Sequence, residues 1–97
     1  MSVALKFEHN GFSDQEVYEV ILHALEREKV QAKARFDFFA QQCALYENKY
    51  AMSSDAFLRQ FDSGALGDDE VYFDWYAAKR GYDLWKRRHT ILSRLSL

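Results

Sequence analysis

From Ser13 to Tyr50 the chain contains neither proline nor glycine, and its apolar side chains recur there at alternating steps of four and three residues. The series runs Tyr18, Leu22, Leu25, Lys29, Ala32, Phe36, Phe39, Cys43, Tyr46, Tyr50, with Lys29 as its one polar break. Steps of four and three place successive members on one stripe of an α-helix. A stripe sustained this long is a seam for a second helix. At the start of the stretch, Ser13 can accept from the backbone N–H three residues on, and Glu16 can reach back, which is a capping box. The spacing predicts a helix over about 14–50, about 55 Å long at about 1.5 Å per residue.

A second seam follows the same rule: Val71, Trp75, Ala78, Tyr82, Trp85, His89, Leu92. It predicts a helix over about 69–95. Asp68 would be its N-cap, and Asp69 and Glu70 would lie in the first turn, where the helix dipole favours negative charge. Gly81 interrupts this seam and costs about 1 kcal/mol of helix stability relative to alanine. Between the seams, Ser53, Ser54 and Asp55 offer caps for a short helix over about 54–62, with Phe57, Leu58 and Phe61 on one face. Gly64 and Gly67 then break the chain. Two seams joined by a short corner predict an all-α, single-domain fold over 1–97: a long antiparallel helical hairpin with a short connecting helix. Val3, Leu5 and Phe7 alternate with Ala4, Lys6 and Glu8, a weak period-two signal for one short N-terminal strand.

The composition suits such a fold. Among 97 residues there are eight Phe, six Tyr and two Trp, and no proline. Large rings bury much area each, which lets a small chain build one core. Cys43 is the only cysteine, so no internal disulfide can form and a reducing compartment is expected. The first residues lack the apolar stretch of a signal peptide, and no apolar run approaches the ~20 residues that span a bilayer. The expected location is cytoplasmic.

The two long helices differ in length. If residues 50 and 70 lie at the same end, the second helix runs out opposite about residue 25. Val17, Tyr18, Val20, Ile21, Leu22 and Leu25 then project beyond it. This patch is too apolar to face water alone, and three covers are open: the N-terminal strand, a second copy, or a different protein. A dimer is expected for the chain on its own. Charge is also divided. Residues 1–78 carry seven Lys/Arg against fourteen Asp/Glu, a net of −7, whereas residues 79–97 carry six against one, a net of +5. Lys79, Arg80, Lys86, Arg87, Arg88 and Arg94 either complement the helix dipole on a solvated face, with Asp83 and Arg87 paired one turn apart, or form a docking surface. Trp85 beside arginines is the usual make-up of an interface hot spot. Ile91, Leu92, Leu95 and Leu97 make the tail apolar. The candidate partner-binding residues are therefore Val17, Ile21 and Leu25 on the first helix, and Trp85, Arg87, Arg88, Ile91 and Leu95 on the last.

No catalytic constellation stands out. His9, His23 and His89 are scattered, with no metal-ligand spacing. Cys43 lies mid-seam, where a buried structural thiol is the ordinary use. The segment Asp62–Glu70 is acidic but lacks the alternating oxygen ligands of a calcium loop and the lysine of a phosphate loop. No catalytic residue, metal or cofactor is expected.

The stretch Tyr46-Glu47-Asn48-Lys49-Tyr50-Ala51-Met52-Ser53-Ser54-Asp55-Ala56-Phe57, then Gly64-Ala65-Leu66-Gly67-Asp68-Asp69 and Asp74-Trp75-Tyr76, resembles short prokaryotic antitoxin-like proteins of type II toxin–antitoxin pairs. The resemblance spans roughly residues 46–90. Two positions depart from the pattern: Ala51 stands where glycine is usual, and Asp74 where glutamate is. The resemblance implies a protein partner, a toxin that is commonly a nuclease, blocked by direct binding, and no catalytic residue in this chain. Many such antitoxins also bind operator DNA. Lys6 and Glu8 are the only charges of the N-terminal stretch, fewer basic groups than a ribbon-type DNA reader carries. The alternative is a helical dimer that binds nucleic acid, or acts as a regulatory or structural protein, through its basic last helix.

Overall fold

The described residues form three capped helices. A computed structural model describes residues 3, 5–8 and 10–97. Its elements are α1 (Asp14–Tyr50), α2 (Ser54–Asp62) and α3 (Glu70–Arg94). Ser13 begins α1 by accepting from the Glu16 backbone N–H at 3.1 Å. The Glu16 carboxylate returns to the Ser13 hydroxyl, 3.3 Å away. The helix ends at Ala51, which takes the left-handed conformation at φ 51°, ψ 47°. The Ala51 and Met52 N–H groups both turn back to the Glu47 carbonyl. Ser53 caps α2 through the Ala56 N–H.

The N-cap of α3 is Asp69, one residue later than Asp68. Gly67, at φ 80°, turns the chain so that Asp69 is extended and its carboxylate meets the Val71 N–H at 3.2 Å. Among the described residues there is no strand. A lone extended segment has no neighbour to supply a hydrogen-bonding ladder. Phe7 instead turns its ring edge-on to Phe12, with centroids 6.5 Å apart. Ala4 and His9 lie outside the described residues.

α1 and α3 form the expected antiparallel hairpin. Tyr50 meets Tyr72, Tyr46 stacks on Trp75, and Phe36 packs against Tyr82 and His89. Burial follows the two seams, with Lys79, one position off the second, as the exception. Ala32 and Cys43 are the buried residues of α1, and Trp75, Ala78 and Lys79 those of α3. The glycine inside the second seam has a packing reason. A Cβ on Gly81 would lie 2.8 Å from Cε1, Cε2 and Cζ of Phe39, so the bare backbone lets that ring approach. The molecule measures 60 × 26 × 20 Å with a radius of gyration of 19.2 Å, against about 13 Å for a compact chain of about 100 residues. It is a rod.

The tightest packing is at the α1–α2–α3 corner. Phe57 and Trp75, 0% and 1% exposed, lie face to face with ring centroids 4.0 Å apart. Tyr46 and Tyr50 stack on the same indole at 5.6 and 5.5 Å. Burial this deep requires the indole N–H to find an acceptor, and it donates to Ser54 Oγ at 2.9 Å. Ser54 in turn donates its backbone N–H to Glu47 Oε2 at 2.7 Å. One serine thus joins the first residue of α2 to both long helices. Among the described residues, no helix is long and apolar enough to cross a membrane.

Candidate functional site

Two regions concentrate polar or unusual chemistry. The first is the corner, where a cleft of about 260 Å³ is lined by Cys43, Glu47, Ser54, Asp55, Lys79 and Tyr82 among others. Lys79 Nζ bridges Asp55 at 3.0 Å and Asp83 at 2.8 Å. Burial pulls the Lys79 pKa down, but the hydrogen bonds and charges of Asp83 and Asp55 outweigh it and leave the pKa above its ordinary value. The hydrogen bond from Lys79, and its charge, hold Asp55 below the usual carboxylate range. Burial pushes the Cys43 thiol up, against a hydrogen bond with Ser54 that lowers it. A buried thiol whose pKa is raised and a lysine held in its charged form by two carboxylates are both poor nucleophiles. The cluster's chemistry is that of a clasp tying α2 to α3. Asp83 is held by Lys79, one turn before it, and is not in ion-pair contact with Arg87.

The second region is the open end of the rod. The register set by Tyr46 with Trp75 and by Arg35 with Trp85 places Arg94 level with Arg27. About three turns of α1 therefore project past the end of α3. Residues 14–26 in these turns carry Asp14, Glu16, Glu19 and Glu26 and no Lys or Arg, a net of −4. Val17 and Ile21 are half-buried. Together with Phe7, Phe12, Glu16 and Val20 they line an apolar recess of about 240 Å³. Phe12 precedes the N-cap and Val17 is four residues past it, the two positions of a hydrophobic staple. This pair was visible in the sequence, and it explains why the N-terminal segment folds onto α1 here. The cover is incomplete: Val20 remains 70% exposed. Leu25 is half-buried on the seam.

The candidate residues of α3 divide. Trp85 is half-buried, with the Arg35 and Arg88 guanidinium carbons 4.7 and 4.9 Å from its ring centroid. Arg35, on α1, could be matched to Trp85 only once the helix register was known. Arg87 is exposed and borders a shallow groove with Arg80, Asp83 and Leu84. Ile91 and Leu95 are exposed, and so is Leu97 beyond them. Residues 84–97 carry Lys86, Arg87, Arg88 and Arg94 and no acid, a net of +4. The structure does not gather the eight candidates into one pocket. They are spread over the open half of the rod, from the Trp85 level to the projecting turns.

His23 is exposed on α1, and His89 packs its ring 6.3 Å from that of Phe36. Among the described residues, no group of three or more His, Cys, Asp or Glu side chains could hold a metal ion. No protein-family model, no curated protein and no solved structure matches this chain.

Proposed function

We propose that this chain is a non-enzymatic protein-binding module of the antitoxin type, which neutralises a partner toxin by direct contact through the open end of the rod. The observation that carries this reading is the length of α1 that projects past the end of α3, three turns with a net charge of −4 and a Val20 that the N-terminal segment leaves exposed. A nuclease works on a polyanion and presents a basic surface to it. An acidic helix end with an apolar stripe complements such a surface in charge and in hydrophobicity. The likeness of residues 46–90 to antitoxin-like proteins points the same way.

The test is co-expression with the product of the adjacent reading frame. That product alone should arrest growth, and this chain should relieve the arrest and form a stable complex with it. Ile21→Asp and Val20→Asp should abolish relief while leaving helix content unchanged. A harmless neighbour, or relief that survives both substitutions, would count against the reading.

A second reading is favoured by Trp85 with its two guanidiniums and the net +4 of residues 84–97: nucleic-acid binding along the end of α3. It requires binding that weakens steeply with salt and is lost in an Arg87→Glu, Arg88→Glu variant.

A further inference from the structure

α1 carries a second stripe, which the hairpin leaves uncovered. Starting at Val20 and stepping 4, 3, 4, 3, 4, 3 and 4 residues, it ends at Leu45. Each member stands two residues past a member of the first seam, about 200° round the helix, so the stripe faces away from α3. Every member is exposed. Val20, Phe38 and Leu45 are 70%, 54% and 65% exposed, and Arg27 is the one charged member. Heptad spacing sustained over about seven turns is the pattern of a coiled-coil seam, and here it lacks its second strand.

We infer that the missing strand is α1 of a second copy, antiparallel, with the two-fold axis level with the bond between Ala32 and Lys33. In that register the stripe is its own complement. Val20 meets Leu45 of the other copy, which also reaches the apolar recess that Val20 lines. Gln41 faces Ala24 and Gln31 faces Ala34, so long side chains stand over small ones. Arg27 comes over the ring of Phe38, a cation–π contact. A parallel pair would instead set Arg27 against Arg27. The flanks agree with the antiparallel choice. Along one edge Glu28 lies opposite Arg35 of the other copy, twice by symmetry, and Ile21 lies opposite Gln42. Along the other, His23 lies opposite Ala44, and Val30 lies opposite Asp37, whose charge Lys33 already neutralises. Like charges do not meet on either edge. Glu28 and Arg35 make no ion pair within their own chain among the described residues. The Arg35 guanidinium is held over Trp85, 4.7 Å from the ring centroid, which presents it in one place. The acidic first turns of the two copies end about 50 Å apart, at about 1.5 Å per residue, and do not oppose each other. A two-fold interface of this kind closes on itself. It is centred on the middle of α1 and does not depend on a toxin partner.

The test is sedimentation equilibrium of the full chain and its variants. The parent should show twice the 11.5 kDa chain mass. Phe38→Asp with Leu45→Asp should give a monomer of unchanged helix content, since both side chains are exposed in the single chain. Glu28→Arg and Arg35→Glu should each weaken dimerisation by about tenfold, the range expected when two exposed ion pairs become like-charge contacts. The two changes in one chain should restore the parent's affinity. Orientation is read by cross-linking in a Cys43→Ala background: Val20→Cys chains should form a disulfide with Leu45→Cys chains and not with themselves. A monomeric parent would overturn the proposal and leave the stripe to a different protein or to solvent. So would a double charge variant that dimerises no better than either single one, or Val20→Cys chains that cross-link to each other.

Discussion

Placing a methyl group at Gly81 tests the packing of the hairpin directly. In an ordinary helix interior, glycine to alanine gains about 1 kcal/mol. At this position the new Cβ would meet three atoms of the Phe39 ring at 2.8 Å. Ordinary contact begins near 3.4 Å, so the ring must retreat by roughly 0.6 Å, and overpacking of this sort costs about 1–3 kcal/mol. Gly81→Ala should therefore be neutral to destabilising by about 2 kcal/mol, against its own helix propensity. Phe39→Leu removes Cε1, Cε2 and Cζ, the three atoms concerned. In that background Gly81→Ala should recover its full gain of about 1 kcal/mol. The coupling energy of the double-mutant cycle is then about 1–3 kcal/mol. Urea unfolding followed by helix ellipticity and tryptophan fluorescence would read it. With a slope near 1–3 kcal/mol per molar, the midpoint should move by roughly half a molar or more. A gain of the same size in both backgrounds would refute the close approach of Phe39 to Gly81.

Three further expectations rest on the corner. Ala51→Gly should stabilise the chain by about 0.5–1 kcal/mol, because the left-handed backbone costs an L-residue about 1–2 kcal/mol and glycine's greater unfolded-state freedom returns part of that; a lower urea midpoint would contradict it. Trp75→Phe keeps a ring over Phe57 but removes the indole N–H that Ser54 Oγ accepts, leaving that hydroxyl only its bond with Cys43, so it should cost about 0.5–1.5 kcal/mol beyond the loss of ring area, with Ser54→Ala recovering part of that cost; no recovery would remove the hydrogen bond from the account. The clasp also sets a pH window. The depressed pKa of Asp55 stabilises the fold above the unfolded carboxylate value of about 4 and is lost as pH falls through the folded value. The raised pKa of Lys79 stabilises below about 10 and is lost as pH rises through its folded value. Thermal melts across pH should show both limbs shallower in Lys79→Met, and an unchanged acid limb would show that Asp55 draws nothing from Lys79.

The helices were legible because their signals are local. Ser13, Ser53 and the two seams depend on residues three and four positions apart, a spacing that an α-helix converts directly into contact. What escaped the sequence depends on register between helices. Gly81 reads as a defect until Phe39 is seen against it, and Asp83 can reach either Lys79 or Arg87 by spacing alone. Lys79 prevails because Asp55, brought in by α2, draws the ammonium into the corner. The Asp69 cap was displaced by the turn at Gly67, a backbone effect that side-chain preferences do not carry. Ala51 combines both cases. Its place at the end of the first seam was plain in the sequence, but only the backbone shows that the position takes a left-handed conformation. The strand was expected from alternation alone, and alternation says nothing about whether a neighbouring strand exists.

The uneven placement of buried residues has a kinetic consequence. Cys43, Ser54, Phe57, Trp75, Ala78 and Lys79 lie in the corner half, and among the described residues Ala32 is the one buried residue nearer the open end. A hairpin held this way opens like a zipper from its loose end, with local opening free energies rising turn by turn towards the clasp. Amide hydrogens of α1 should exchange slowly near Cys43 and progressively faster towards Asp14. A body docked on the first turns would slow the fast end and leave the slow end unchanged, so occupancy at one tip could be timed by exchange without touching the core.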